Sequence, residues 1–331
     1  MMKWIVLWVA MALVAVVFVA RNVTPWPSVM IIRAIFDAGT EKVAAELEDH
    51  VPEDLTVREG IVYDPEDPDA LLDIYSPTAP TGNRPTVVWV HGGGFVSGGR
   101  GAIANYLKVL AGRGFDVVSV GFTPAPEATY PTPVRQVTRA LAYLDANASE
   151  LGINRKAFVL AGDSAGSQIA AQIANLATAP DYAEAVGIAS PVEAWQIRGA
   201  LLFCGVYDMD LLGEEESSVV GWFLDAATWA YSGDRDWNTV PGFDYASVAR
   251  HITPAFPSAF VSAGNADPLE PQSRALLTAL KEKQVSVEEL FFPEDHEPEL
   301  GHEYQFDLAS DAGRLALDRV VTWLNGLSAG W

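Results

Sequence analysis

The rhythm of hydrophobic and polar positions along this chain predicts strands and helices in alternation. Residues 4–20, WIVLWVAMALVAVVFVA, form an uncharged run bounded by Lys3 and Arg21. At 1.5 Å per residue such a helix is about 25 Å long, at the short end of what crosses a hydrocarbon core of roughly 30 Å. Residues 28–50 read as an amphipathic helix, with Ile31, Ile32, Ile35 and Phe36 followed by Val43, Ala44 and Leu47. Two strands, 57–63 and 70–75, flank the Pro/Asp turn DPEDPD. Strands at 86–90, 115–121, 157–161, 200–204, 258–263 and 286–292 then alternate with helices at 102–111, 134–146, 165–177, 270–283 and 308–326. Several of these strands are unbroken apolar runs such as TVVWV and FVLAG, the pattern of strands covered by helices on both faces. An α/β architecture follows, with a mostly parallel central sheet, right-handed crossovers and helices on both faces. Residues 208–256 interrupt the alternation. They are long, irregular and aromatic (Trp222, Phe223, Trp229, Tyr231, Trp237), and they read as a helical cap or lid.

Composition narrows the possibilities. Half of the 331 residues are hydrophobic, enough for a sizeable core. Asp and Glu number 43 against 21 Lys and Arg, and the net charge of −22 repels phosphate backbones, so a nucleic-acid partner is not expected. The single cysteine, Cys204, excludes an intrachain disulfide framework and any cysteine-rich metal site. There is no His-Glu-x-x-His string either, so no metal or other cofactor is expected.

The amino-terminal run reads as a membrane anchor over residues 1–22. Trp4 and Trp8 at one end and Trp26 beyond the other suit the interfacial aromatic belt. A cleaved signal peptide is the rival, but cleavage after Ala20 would put Phe18 where a small residue belongs; a buried helix is the third possibility. Lys3 and the amino group balance Arg21 and Arg33, so charge does not orient the anchor. We take the remainder, 23–331, as one domain on the extracytoplasmic side, with cap elements at about 23–50 and 208–256.

Two glycine-rich strings carry candidate chemistry. Gly162-Asp163-Ser164-Ala165-Gly166 lies between an apolar strand and a helix, where a sharp turn lifts a serine hydroxyl above the sheet edge and the helix amino terminus favours negative charge. The plain alternative is a βα turn with Ser164 as helix cap. His91-Gly92-Gly93-Gly94-Phe95 directly follows TVVWV, and its glycines let backbone N–H groups approach a developing oxyanion. The amides of Gly93, Gly94 and Ala165 are the expected donors, with His91 holding the loop. A phosphate-cradling loop is excluded, because no Gly-Lys-Ser/Thr follows.

HGGGF upstream of GDSAG resembles the hormone-sensitive-lipase-like carboxylesterases, the branch called α/β-hydrolase fold-3. The intervening PAPEATYPTPVRQVTRALAYL is similar to that family's APE, YP and helix segment. The likeness covers about residues 57–326. Gly121-Phe122-Thr123 stands where the family has Asp-Tyr-Arg, and Ser167 where a second glycine is common. The resemblance implies an α/β-hydrolase fold and chain order Ser, Asp, His. Asp267, in Asn-Ala-Asp-Pro-Leu after a strand, matches the family's acid, with Asp208 as alternative. His302 is the expected base because an aromatic, Tyr304, follows two residues on and Gly301 precedes it; His296 is the alternative. The family's chemistry is two-step acyl transfer from short- to medium-chain carboxylic esters, small-molecule substrates that an aromatic cap would hold. Acyl transfer to another acceptor, peptide cleavage and a non-catalytic binding module are the competing classes.

Overall fold

The computed structural model describes residues 22–79, 82–214 and 219–328, together with Trp4, Trp8, Met11 and Ala20. The expected anchor therefore lies almost wholly outside the described residues, among which no helix is long and apolar enough to cross a membrane.

One sheet of eight strands organises the chain: β1 (Leu55–Val62), β2 (Leu71–Pro77), β3 (Thr86–Val90), β4 (Asp116–Val120), β5 (Phe158–Asp163), β6 (Ile197–Phe203), β7 (Ser258–Ser262) and β8 (Val287–Leu290). Their order is β1-β2-β4-β3-β5-β6-β7-β8. The β1–β2 and β2–β4 pairs are antiparallel and every other pair is parallel. The helices are α1 (Trp26–Leu47), α2 (Ala104–Gly112), α3 (Thr132–Leu151), α4 (Ser164–Thr178), α5 (Pro180–Val186), α6 (Val219–Ser232), α7 (Glu270–Glu282) and α8 (Asp311–Ser328). This is the α/β-hydrolase fold.

Side-chain alternation along each strand feeds two cores, one on each face of the sheet. In β3, Val88 and Val90 enter the core that also holds Val134, Leu141 and Ile169 of α3 and α4. Val87 and Trp89 enter the other, with Leu107 and Leu110 of α2 and Leu317 and Val320 of α8. All five residues of β3 are buried, which accounts for the unbroken apolar string.

Residues 208–256, expected as a helical cap, hold one regular helix, α6, among short 3₁₀ turns. The structure adds a short helix, α5, that the sequence pattern did not predict. It also differs at α1, which is not amphipathic in the expected sense. Val29 and Ile32 face the body, yet Met30, Ile31 and Ile35 face outward.

Candidate active site

The loops that follow β3, β5, β7 and β8 converge at the carboxyl ends of the parallel strands, where open α/β sheets hold their ligands. Strand β5 ends at Asp163 and α4 starts at Ser164, whose φ of +49° is left-handed for a residue other than glycine. The flanking glycines allow this turn. A Cβ on Gly162 would lie 2.5 Å from the backbone of Gly166, and one on Gly166 would press into the carbonyls of Val90 and His91. Only bare backbone lets β3, β5 and α4 close to this distance.

Ser164 Oγ is 3.0 Å from His302 Nε2. On the far side of the ring, Nδ1 is 3.0 Å from both carboxylate oxygens of Asp267. The Asp267 carboxylate is fully buried and also accepts the Leu269 N–H at 2.8 Å. An Nδ1–H donating to Asp267 leaves Nε2 free to accept from the serine hydroxyl. One edge of the imidazole opens to the pocket, the side chain being 32% exposed. Burial works against charging the ring, but the neighbouring Cys204 sulfur and the Asp267 carboxylate outweigh it, and the His302 pKa lies well above the ordinary histidine value. Burial pushes the Cys204 thiol itself up to about 11. Cys204, Asp267 and His302 bring their donor atoms within 4.8 Å of one another.

Ser164, Asp267 and His302 are thus brought together. The alternatives are not. The His296 ring packs on Phe292 with centroids 4.7 Å apart, and its carbonyl accepts from Asn265. Asp208 is held by Arg250 at 2.6 Å.

Beside the serine, the loop after β3 turns through left-handed Gly93 (φ +105°) and Gly94 (φ +59°), and a Cβ on Gly94 would lie 2.5 Å from the Phe223 ring. Among the described residues no hydrogen bond takes up the amides of Gly93, Gly94 or Ala165. Ala165 stands in the first turn of α4, where an N–H has no partner within the helix. His91 holds the loop: its Nδ1–H donates to the Gly92 carbonyl at 2.8 Å, and its ring stacks on Phe122 at 4.2 Å. Burial lowers the His91 pKa to about 4, so the ring stays neutral.

Two carboxyls went unremarked in the sequence reading. Buried Asp163 accepts from Trp89 Nε1 at 2.7 Å and from the Gly92 amide at 2.8 Å, tying the elbow to β3 and its loop. Burial, and then the charge of Glu303, raise the Asp163 pKa well above the usual carboxylate range. Glu303 has a left-handed φ of +61° and places Oε1 3.7 Å from His302 Nε2. The only local signal was position: one residue sits inside the GDSAG string, the other follows His302.

Over these groups lies a pocket of about 340 Å³. Ile32, Ile35 and Phe36 of α1 and Trp222, Phe223 and Leu224 of α6 roof it. Phe36 and Phe223 meet edge to face with centroids 5.4 Å apart, closing the roof between the two helices.

A family model described as alpha/beta hydrolase fold matches residues 87–297. An acetyl esterase of Salmonella paratyphi B is 26% identical over 252 residues, covering 74% of this chain and 73% of that protein. Among solved structures, esterase B of Lactobacillus rhamnosis superimposes with a TM-score of 0.75 at 22% identity, over 91% of this chain and 96% of that one. An esterase of Pyrobaculum calidifontis superimposes with a TM-score of 0.72 at 22% identity, over 91% and 94%.

Proposed function

This chain belongs to the hormone-sensitive-lipase-like family of the alpha/beta hydrolase fold, and from that membership we propose that it is a serine carboxylesterase acting on short- to medium-chain esters through an acyl-enzyme. That it is a carboxylic ester hydrolase follows from the family and from its esterase relatives. The finer reading rests on the line of contacts from Ser164 Oγ through the His302 ring to Asp267, each step 3.0 Å.

In this reading His302 Nε2 takes the serine proton as Oγ attacks the ester carbonyl. Asp267 holds the ring in the right tautomer and stabilises its charged form. The negative charge on the carbonyl oxygen meets the amides of Gly93, Gly94 and Ala165, fixed backbone donors of the kind that stabilise an oxyanion. His302 returns the proton to the departing alcohol, and water then repeats the sequence on the acyl-serine. Every proton moves between a named side chain and the substrate, so the cycle calls for no metal or organic cofactor. The apolar roof favours uncharged acyl groups of modest length. Residues 4–20 are proposed to tether this domain to a membrane, since nothing in the run opposes burial in lipid.

The test is a series of p-nitrophenyl esters from acetate to palmitate, with Ser164→Ala beside the native chain. The variant should fold normally, lose labelling by a fluorophosphonate and lose activity by about 10⁴-fold or more. Turnover within a few-fold of native would remove Ser164 from the mechanism.

A further inference from the structure

The first three turns of α1 are apolar on two opposite sides. Val29, Ile32 and Phe36 look inward, while Trp26, Met30, Ile31 and Ile35 look outward, the last three each more than half exposed. A helix that is hydrophobic all round is ordinarily enclosed by other elements. This one is held with its second apolar side turned out. Arg33 on its flank donates to the Val96 and Ala125 carbonyls and pairs with Glu127 at 2.6 Å, so the helix cannot roll to hide that side. On α6, Val219 is 81% exposed beside the same opening.

The exposed face is continuous with the site. Ile35 and Val219 belong to both, standing at the rim of the pocket and out in solvent. Its charge pattern is also definite. Between residues 22 and 36 the one charged side chain is Arg33, already paired, and the first free charges on the outer side are Asp37 and Glu41. The apolar stretch from Trp26 to Ile35 is about 15 Å long. Upstream, only five residues separate Trp26 from the end of the uncharged run at Ala20, a span of at most about 20 Å of chain.

We propose that the outer face of α1, with Val219, rests on a lipid surface, and that the site takes its ester from that surface: an uncharged, lipid-dissolved ester that enters between Ile35 and Val219. The entry half of this statement rests on the esterase reading; the docking half does not. With no free basic residue in the patch and a net charge of −22, the contact is apolar and fits neutral or zwitterionic lipid, with no gain from anionic lipid and little loss in salt.

Two measurements on the full chain reconstituted in phosphatidylcholine vesicles test it. Cys204 is buried, so Met30→Cys supplies one reactive thiol for an environment-sensitive fluorophore. Lipid-borne bromine should quench that label and salt should not reverse it; an unquenched label overturns the docking outright, whatever the activity. For entry, the double variant Met30→Glu/Ile31→Glu is compared with native protein on p-nitrophenyl acetate in buffer and p-nitrophenyl decanoate dissolved in the vesicles. Neither residue lines the pocket, so acetate turnover should stay within about twofold while decanoate turnover falls about tenfold or more. Equal losses on both esters, or none on either, overturn the entry route. A change in the mass of detergent-solubilised protein on introducing the two glutamates would make the face a contact between copies and overturn the lipid assignment. Native protein inactive on both esters would instead strike the esterase reading, leaving the quenching result to stand on its own.

Discussion

In the proposed mechanism the protonation of His302 governs the chemistry at the residue scale. An imidazolium cannot accept the Ser164 proton, so activity is lost as pH falls through the His302 pKa. That value is raised, with burial opposing the shift and the neighbouring groups, Asp267 among them, carrying it. The acid limb of kcat/KM should therefore have its midpoint above the ordinary histidine value of about 6.5. Asp267→Asn should move that limb to lower pH and reduce kcat by about 10⁴-fold; a limb that stays where it was would show that Asp267 does not set the charge of the ring. The Asp163–Glu303 pair acts in the opposite sense, on stability. Its raised Asp163 pKa means that the folded chain holds a proton which the unfolded chain has released. Stability then falls as pH rises from about 4 through the folded-state value. Glu303→Gln removes the second of the two causes, after burial, so the decline should shrink: the variant should melt higher than native protein at pH 8 and equally at pH 4. A melting difference that does not change with pH would leave the pair without a titrating role.

Among the elements, the roof carries the consequences. Helices α1 and α6 meet through Phe36 and Phe223, and both line the pocket, but only α1 is fastened to the body by a charged side chain reaching two loop carbonyls and Glu127. Arg33→Ala should loosen α1 without disturbing Ser164, His302 or Asp267. We expect KM for p-nitrophenyl esters to rise about tenfold with kcat within about twofold, the mark of lost ground-state binding. An equal fall in kcat would mean that the roof also positions the reacting groups. The strands and most helices of this domain were legible in the sequence, because burial on one or both faces imprints a period on neighbouring residues. The outward face of α1 was not legible, because a run such as MIIRAIF carries no mark of which apolar positions a distant carbonyl will turn inward.

For the whole molecule, attachment to a membrane is the main expectation. An apolar tether is insensitive to charge, so full-length protein should sediment with membranes and resist both high salt and carbonate. Protein with its first residue after Ala20 in the mature chain would replace the tether with a cleaved leader. The net charge of −22 lies far from zero and should keep the solvated part of the surface from self-association, leaving the outer side of α1 as the exposed apolar exception.

The division between sequence and tertiary structure follows the range of the interactions. Local strings determined the serine on its turn and the glycine loop beside it, because a tight turn and a close backbone approach restrict residue type over four or five consecutive positions. The choice of histidine was different. His296 and His302 follow the same strand among similar acidic neighbours, and in the sequence only the resemblance carried by Gly301 and Tyr304 favours His302. What separates them is the path of the loop after β8, which brings residue 302 to a serine 138 positions earlier and leaves residue 296 against Phe292. Likewise the pairing of Asp163 with Glu303, and of Arg33 with carbonyls 63 and 92 residues away, exists only once the sheet has assembled. Contacts of that separation leave no period and no motif in the chain, so the fold alone decided them.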